Sequence, residues 1–557
     1  MSLDKSNWSL STNTLHYGIN NQKTIAMPAI ITDQFRILNA ETFTKSFTGI
    51  GTTTNYYYTF LGHPNPKNDD IVDYGDGAWG DVGGTPSPKD SFKEEDLYHG
   101  SMLFLKRVSA TDVRRVVRRY NWELGITYDM YRNNYDLDNK SPQSSSTTLY
   151  GSRFFVVNSE FKVYACLNNG TEPEFPNGQK SLVEPNFVDV SPQKVGTGSD
   201  GYVWKYLFTI SPSDVVKFVT DQYIPLPEKW GDTSSLTIKN AAVKGKIEQV
   251  IITNRGSGYS IAEDPTTGEP ATSTGTVTGV PILGDGVGGF AAVTIIKGIV
   301  NSVTVTNGGT GYTKALLLFD NSNVTTLGAG QGATFEVIIP PQGGHGADVY
   351  RELGGNRVMV YSKYDTDPDF VQGVDFSRIG LIKNPIQNKS EAEPLDTSTA
   401  TALGALKLTI TGSATTTSNT IYPVNKIIKQ QVGIGSTAVG YVAAWNRDTG
   451  VLRYYQPVGL TGDSAAGNRL FDFTSGGGSG NIKCSDIVGP ELKVDENFND
   501  NTINTGDKII ELGQTFDKGI APPDFNRHSG EIIYIDNRAP ITRSSSQKEE
   551  VKIVVEF

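Results

Sequence analysis

The sequence contains few of the residues on which catalytic and redox sites are most often built. Of its 557 residues, five are His and two are Cys. Cys166 and Cys484 lie far apart and in no CxxC pairing, so we expect both to be reduced and structural. The sequence offers no metal motif, no GxSxG motif and no recognisable pair of carboxylates. We therefore expect no cofactor and no metal, and an enzyme is the least favoured class of function.

Long apolar runs and an excess of positive charge are also absent. There is no stretch of ~20 apolar residues and no charged-then-apolar signal segment at Met1, so we expect a soluble protein that is made in a cytoplasm and has no membrane partner. The formal net charge is -11 and the pI about 5.1. A broad basic field that would bind phosphate backbones is therefore lacking, and nucleic acid is not an expected partner.

Glycine, proline and aromatic residues are plentiful. The chain has 60 Gly, 27 Pro, 25 Tyr and 24 Phe, a composition that favours short strands joined by tight turns over long helices. The length suggests about three to four domain-sized units. The composition therefore predicts a mainly β protein.

The clearest strand pattern lies at the end of the sequence, in residues 526–557. Val551, Ile553, Val555 and Phe557 alternate with Lys552, Val554 and Glu556. This period of two is typical of a strand with one buried face. An apolar run at 531–536 precedes it, and residues 537–540 between the two runs are turn-forming. We expect the final strand to lie in a sheet whose other strands come from much earlier in the chain.

Two blocks of sequence carry a resemblance to a known family. They are GSDGYVWKYLF at 198–208 and RHSGEIIYIDNRAPI, which is followed by a terminal EEVKIVVEF. Both resemble segments of the smaller, dimeric wedge protein in the baseplate of T-even-like contractile-tailed bacteriophages. The resemblance covers roughly residues 27–236, 345–392 and 521–557. It implies a layered antiparallel β-sandwich core with short helices in flanking loops, assembled as a homodimer, and a structural part of the virion without catalysis.

The resemblance and the changes in composition together predict a domain plan. Residues 1–26 form an N-terminal arm, which is either disordered or packed on a neighbouring subunit. The core sandwich occupies 27–236 and 345–394, and its closing strands occupy 516–557. Two β domains are inserted, at 237–344 and at 395–515, and the second is expected to be a small barrel or sandwich.

The first insertion contains a tandem repeat. The GSGY motif at 256–259 recurs as GTGY at 309–312, and GGFAAVTII at 288–296 is echoed by QGATFEVII at 331–339. Each copy reads as a strand, a glycine turn that needs positive φ, and a Tyr that folds back over the strand. A phosphate-binding loop is not favoured because no helix pattern follows the glycines and no Lys-Ser/Thr closes the motif.

A cluster of arginines is the candidate interaction site. Residues 109–112, Ser-Ala-Thr-Asp, resemble a capping box and predict a short helix from Val113 onward. Four arginines lie along it: Arg114, Arg115, Arg118 and Arg119. In an acidic protein they are expected to meet carboxylates of this chain or of a partner rather than nucleic acid, and we take them as candidate interface residues.

Other features suggest sites but favour structural readings. His345 stands between glycines with no matched acid evident nearby, so we expect a loop histidine and not a base or metal ligand. The adjacent side chains of His528 and Ser529 should point apart. The acidic loop at 62–91 lacks calcium-loop spacing, and the four aromatics at 202, 204, 206 and 208 favour a buried sandwich face over a sugar platform.

Three functions follow, in order of preference. The first is a structural subunit of the phage tail baseplate wedge, which bridges neighbouring wedge proteins and takes part in the rearrangement of the baseplate on tail contraction. Such a protein would be assembled in the host cytoplasm and reside in the virion. The alternative is a fibre-like adhesin whose inserted β domains bind host-surface carbohydrate. A tail hydrolase comes third.

Overall fold

The structure is a computed structural model of the whole chain. It describes most of the sequence, in the following ranges: 10–11, 14–16, 26–28, 30–48, 55–63, 87–198, 200–262, 271–324, 327–365, 374–388, 390, 392–409, 421–456, 471–475, 481–484, 492–504, 508–544 and 547–557. The predicted acidic loop and most of the predicted N-terminal arm lie outside these ranges, as do residues 476–480.

Strands dominate the described residues. Those of the first part of the chain are Leu10–Ser11 (β1), Thr14–His16 (β2), Ala26–Pro28 (β3), Tyr57–Gly62 (β4), Met102–Val108 (β5), Val113–Arg118 (β6), Phe155–Val157 (β7), Lys162–Asn169 (β8), Tyr202–Thr209 (β9), Tyr223–Pro225 (β10), Gln249–Ser257 (β11), Gly275–Gly284 (β12), Val287–Ile296 (β13), Ile299–Thr310 (β14), Ala315–Leu317 (β15) and Gln331–Ile338 (β16). Those of the second part are Arg357–Tyr364 (β17), Asp375–Lys383 (β18), Thr399–Thr401 (β19), Gly404–Lys407 (β20), Ile427–Gly433 (β21), Ser436–Asn446 (β22), Val451–Tyr455 (β23), Asn481–Cys484 (β24), Leu492–Lys493 (β25), Thr502–Asn504 (β26), Ile509–Glu511 (β27), Ile520–Ala521 (β28), Glu531–Thr542 (β29) and Glu549–Glu556 (β30).

The helices are short. They are Asp33–Ser46 (α1), Phe92–Gly100 (α2), Pro212–Phe218 (α3), Leu236–Ala241 (α4) and Val349–Glu352 (α5), with 3-10 turns at Ala110–Asp112 and Leu149–Gly151. The expectation of a mainly β protein with antiparallel sheets and few short helices is confirmed. Within the described ranges, no helix is long and apolar enough to cross a membrane.

The chain divides into two compact units. The first comprises Met1–Thr44, Arg114–Met359 and Val554–Phe557, and the second comprises Lys45–Val113 and Val360–Ile553. In the first unit the strand orders are β1-β2-β3, β7-β8-β9, β11-β16 and β14-β13-β12-β15. In the sheet β10-β6-β17-β30, β10 belongs to the first unit, and the other three strands each contain residues of both units.

The sheet β7-β8-β9, here called the aromatic sheet, forms the main core of the first unit. Strands β7 and β8 flank a turn at 158–159, and β9 contains the expected aromatic alternation. The four aromatics of β9 are buried: Tyr202, Trp204, Tyr206 and Phe208. Their burial confirms a sandwich face. After β9, Ser211 caps α3, because its hydroxyl accepts a hydrogen bond from the Asp214 backbone N–H at 3.2 Å.

Strands β11–β16, residues 249–338, form the repeat domain, in which the two repeats are exchanged. β11 of the first GSGY motif pairs with β16 near the end of the domain, whereas β14 of the GTGY motif pairs with β13. Both predicted turns have positive φ, 61° at Gly256 and 60° at Gly309. Tyr259 and Tyr312 are 2% and 3% exposed. Each tyrosine therefore folds back into the core of the domain as predicted.

The repeat domain shares a strand pair with the aromatic core. Ile251 and Ile338 point into the cluster that the aromatic sheet forms. Val250, Ile252 and Val337, on the opposite face of the same two strands, point into the core of the repeat domain. Because the period of a strand is two, β11 and β16 join the two cores without a linker.

Arg255 strengthens this junction. Its guanidinium donates to Glu172 at 2.9 Å and to Glu174 at 2.8 Å, both in the loop after β8. It also donates to the backbone carbonyls of Val300 and Asn301 in β14, at 2.9 and 2.8 Å. Arg255 thus connects β11 to β14 and to the loop after β8.

Two further ion pairs tie the repeat domain to its base. Arg132, in the segment before the aromatic sheet, lies 2.6 Å from Glu336 in β16. Lys205, in β9, lies 3.1 Å from Glu248 beside β11. One ion pair therefore holds β16 and the other holds the start of β11, so both joining strands are fixed to the core of the first unit.

The predicted helix at Val113 is wrong. The capping box forms, since the Ser109 backbone N–H donates to the Asp112 carboxylate at 3.3 Å, but it supports a single 3-10 turn. Residues Val113–Arg118 then form β6, which pairs with β10. The valines at 113, 116 and 117 are all buried. Their β-branched side chains favour a strand, and pairing on the sheet outweighs the local capping signal.

The end of the chain follows the prediction with one correction. β30 lies in a sheet with β17, β6 and β10, all from much earlier in the chain, and Val551 and Ile553 are buried. The turn predicted at 537–540 is wrong, because β29 runs through it. Opposite β18, Arg378 pairs with Asn537 and Phe376 with Ile541. The extra residues form a bulge, which accommodates Pro540 without a ladder hydrogen bond.

The second unit contains the sheets β19-β5-β4-β18-β29 and β25-β24-β21-β22-β23-β20-β28. The larger sheet lies mostly within the predicted second insertion, and its strands β22 and β23 contain the sequences VGYVAAWN and VLRYY. Trp445 packs edge-on against Tyr422, with ring centroids 5.1 Å apart. The predicted domain boundaries stay a prediction.

Candidate functional site

The arginine cluster lies on β6, and its first member is buried inside the first unit. Arg114 is 7% exposed. Its Nε lies 3.1 Å from Asp214 of α3, and its Nη2 lies 2.8 Å from Glu228 after β10. A buried guanidinium needs such partners. Arg114 therefore meets carboxylates of its own chain, as the sequence favoured, and it fastens α3 and the end of β10 to β6.

Arg115 also has an internal partner. Its guanidinium carbon lies 3.3 Å from the ring centroid of Tyr350 in α5, a cation–π contact. Burial lowers the pKa of Arg115, and the nearby Tyr350 and Glu41 oppose that shift. The Tyr350 hydroxyl donates to the Pro227 carbonyl at 2.8 Å. The pair therefore positions α5 against the end of β10.

Arg118 is the last residue of β6, and Arg119 follows it directly. Arg118 is exposed, and its guanidinium carbon lies 5.7 Å from the Tyr223 ring centroid. Arg119 donates to the Asn121 side chain at 2.7 Å and to the Thr220 carbonyl at 3.0 Å. Of the four arginines, Arg114 is therefore buried, Arg115 and Arg119 are partly buried, and Arg118 is exposed. Their role at an interface stays a prediction.

His345 has a matched acid that the sequence analysis missed. Its Nδ1 lies 2.7 Å from Glu352 Oε1, and the Gly346 backbone N–H donates to Glu352 Oε2 at 2.7 Å. His345 and Glu352 are 5% and 1% exposed, and Tyr131 packs edge-on at 4.7 Å. Part of the signal for this pair is local, because Asp348 caps α5, but the position of Glu352 over the glycine loop depends on how α5 packs. The pair fixes this loop.

His528 and Ser529 form no hydrogen bond with each other in the described part of the chain. The Ser529 hydroxyl donates to the Asn526 carbonyl at 2.7 Å and accepts from the Ile386 backbone N–H at 2.9 Å. The His528 ring lies 5.7 Å from the His99 ring. Ser529 therefore stabilises the turn that begins at Asn526. Among the described residues, no group of three or more His, Cys, Asp or Glu is arranged to hold a metal ion.

One family model matches part of the chain. Residues 154–255 match Phage-Gp8, described as Bacteriophage T4, Gp8. The matched range contains the aromatic sheet, α3, β10, α4 and most of β11, together with the block at 198–208. The block at the end of the chain lies outside it. No curated protein matches the chain.

The match supports a relationship to the T4-like baseplate wedge protein over this part of the chain. The matched family is one of structural baseplate proteins. The match therefore supports a structural role in a phage tail baseplate, with other baseplate proteins as partners. The matched residues include the whole aromatic sheet, so the resemblance falls on the main core of the first unit.

Proposed function

We propose that the chain is a structural subunit of the phage tail baseplate wedge, that it bridges neighbouring wedge proteins as a homodimer, and that it moves with them when the tail contracts. The observation that carries the proposal is the family match over 154–255. The matched segment is the aromatic sheet with the elements fastened to it. A subunit that transmits force needs such a rigid, densely packed centre.

The bridging contacts are proposed to involve the accessible end of β6. Arg114 and Arg115 are committed to Asp214 and to Tyr350 inside the unit, so they support the strand. Arg118 is exposed, and Arg119 is less so. Arginine is enriched at interface hot spots because its planar guanidinium combines charge, hydrogen bonding and stacking. Partners with carboxylates near this end of β6 would suit it.

The chemistry of the chain supports a role without catalysis. His345 with Glu352 and Ser529 with its backbone partners each hold a loop in place. In this proposal the protein needs no cofactor, is assembled in the host cytoplasm and ends in the virion, bound neither to nucleic acid nor to a membrane. Movement on contraction then depends on exchange of protein interfaces.

The decisive experiment locates the protein in purified phage particles. An antibody against the chain, detected by gold labelling in electron micrographs, should mark the baseplate in both extended and contracted tails. Mutant phage that lack the protein should give no complete baseplates. Labelling confined to fibre tips, with baseplates intact in the mutant, would contradict the proposal and favour the carbohydrate-binding adhesin.

The role of Arg118 can be tested separately. Arg118→Glu should weaken co-purification with neighbouring wedge proteins of the same phage by tenfold or more. Lys493→Glu is a matched control, because Lys493 is also exposed and the charge change is equal. Equal binding by the two variants would contradict a contribution of Arg118 to bridging but leave the baseplate location untouched.

A further inference from the structure

The four-stranded sheet of the repeat domain has two very different faces. On the inner face, Val277, Val293 and Ile295 are 2% exposed or less and fill the core of the domain. The strand pairs fix which residues lie opposite each other, for example Thr276 with Thr294 and Thr294 with Ser302. Alternate residues must then form an outer face.

The outer face is uncharged throughout. Its members are Thr276, Pro281, Leu283, Phe290, Ala292, Thr294, Ser302, Thr304 and Leu316. Between residues 271 and 319 the only charged residues are Asp285, Lys297 and Lys314, and all three lie outside the strands. In a chain with a net charge of -11, a sheet face without charge is unusual.

One corner of the outer face is apolar and open. Phe290 is 42% exposed and Leu316 51% exposed. The register places Pro281 beside Phe290 and Leu283 beside Leu316. Leu318, two residues beyond Leu316, is 38% exposed. Because these side chains are neighbours on three strands, they form one patch, which is the feature that marks a protein interface.

We propose that the outer face of the repeat domain binds the same face of a second copy of this chain. The proposal deepens the homodimer of the proposed function and rests on it. Two copies that each carry a charge of -11 repel each other wherever acidic surfaces meet, and this uncharged face adds no such repulsion. The rest of the face is Thr and Ser, which also suits close packing of two sheets.

The size of the face agrees with this occupant. Strands of ten, ten and twelve residues, at about 3.3 Å per residue and about 4.8 Å between strands, give a planar area of roughly 500 Å². Two such faces bury about 1,000 Å², the least that a specific interface needs. A two-fold axis through the apolar corner would bring Phe290 and Leu316 against their own copies, as an isologous contact requires.

The test measures the mass of the full chain by light scattering at several concentrations. Wild-type protein should have twice the chain mass of 60.3 kDa, and Leu316→Asp and Phe290→Asp should each have the mass of one chain. Ile434→Asp is the matched control, because Ile434 is fully exposed at 104% in the turn between β21 and β22 of the other unit. It should remain a dimer with unchanged circular dichroism.

A second measurement guards against variants that fail to fold. Leu316→Cys should form a cross-linked dimer under mild oxidation, and Ile434→Cys should not. A wild-type monomer overturns the proposal, and so does a Leu316→Asp protein that stays dimeric. Failure of the proposed function has a separate signature, since absence of the protein from baseplates contradicts that function whatever the mass in solution.

Discussion

The aromatic sheet and the repeat domain are both antiparallel and lie in the same unit, but they fill their interiors in opposite ways. Strand β9 buries Tyr202, Trp204, Tyr206 and Phe208, so large rings occupy the space. The repeat domain buries mainly Val and Ile and closes each of its two turns with a single tyrosine. The first solution depends on side-chain volume, and the second depends on backbone conformation at glycine.

This difference shows where each region is sensitive. In the aromatic sheet, loss of one ring leaves a cavity that neighbouring rings cannot fill. In the repeat domain, the strands approach so closely at Gly256 and Gly309 that a Cβ at either position would lie under 3.0 Å from the backbone of the paired strand. The same fold class thus rests on two different physical requirements.

The largest expected effect concerns Trp204, which is 0% exposed and stacks on Tyr202 with centroids 5.2 Å apart. Trp204→Ala should lower the free energy of unfolding of the first unit by about 3–5 kcal/mol. Urea unfolding followed by circular dichroism measures the change. Trp230→Ala, at a partly buried site beside the same cluster, should cost clearly less. Equal decreases in the free energy of unfolding for the two variants would show that the buried ring in β9 is no more important for stability than the partly buried ring of Trp230.

The next effect tests the glycine turns. Gly256→Ala and Gly309→Ala should each cost about 3 kcal/mol, because positive φ is strained and the added Cβ collides with the backbone. Gly279→Ala is the control: its φ is +73°, but nothing lies within 4 Å of an added Cβ, so about 1 kcal/mol is expected. Hydrogen exchange reports the change, in the β11 and β16 amides for Gly256 and in the β13 and β14 amides for Gly309. If all three variants lost the same stability, close strand approach would not matter.

A smaller effect separates the two tyrosines. The Tyr312 hydroxyl accepts from the Gly289 N–H at 3.1 Å and donates to the Ile282 carbonyl at 2.8 Å. The Tyr259 hydroxyl accepts from the Ala333 N–H at 2.9 Å. Tyr312→Phe should cost about 2 kcal/mol and Tyr259→Phe about 1 kcal/mol, measured by thermal unfolding. The reverse order would contradict the assigned hydrogen bonds.

The smallest effect tests the junction between the two regions. Arg255 holds the pKa of Glu174 below its usual value through a side-chain hydrogen bond. A lowered pKa in the folded state adds stability that is present above the ordinary pKa of about 4.5 and is lost as the pH falls through the folded value. Loss of this ion pair in Arg255→Ala should therefore reduce stability slightly at pH 7, by about 1 kcal/mol or less because the Glu174 side chain is exposed.

The difference between wild type and Arg255→Ala should shrink as the pH falls below that range and as salt is added. Parallel unfolding experiments at pH 7 and pH 3 measure it. A difference that is independent of pH would show that Arg255 acts through its carbonyl contacts alone.

Periodic patterns gave reliable predictions from sequence. The alternation in β9 and the glycine turns before Tyr259 and Tyr312 both depend on neighbouring residues, and the structure confirms them. The exchange of strands between repeats was not predictable, because each GSGY-type strand fits either echo segment equally well. Long-range pairing decides between them.

The wrong and missing predictions share one cause, which is that each depends on contacts between residues far apart in the sequence or on how elements pack. A capping box predicted a helix at Val113, but the segment forms a strand that pairs with β10. Pairing between distant segments outweighs a local signal. Glu352 was missed as the partner of His345 because the contact depends on how α5 packs over the glycine loop. The burial of Arg114 and the exposure of Arg118 depend likewise on how β6 pairs and packs as a strand.

The most direct test of the central claim, a structural role in the baseplate wedge, is a cryo-electron microscopy map of the phage tail. The account predicts that the aromatic sheet, with the repeat domain continuous with it through β11 and β16, fits density in the baseplate wedge before and after contraction. Density for the chain only in the fibres, or none in the particle, would contradict it.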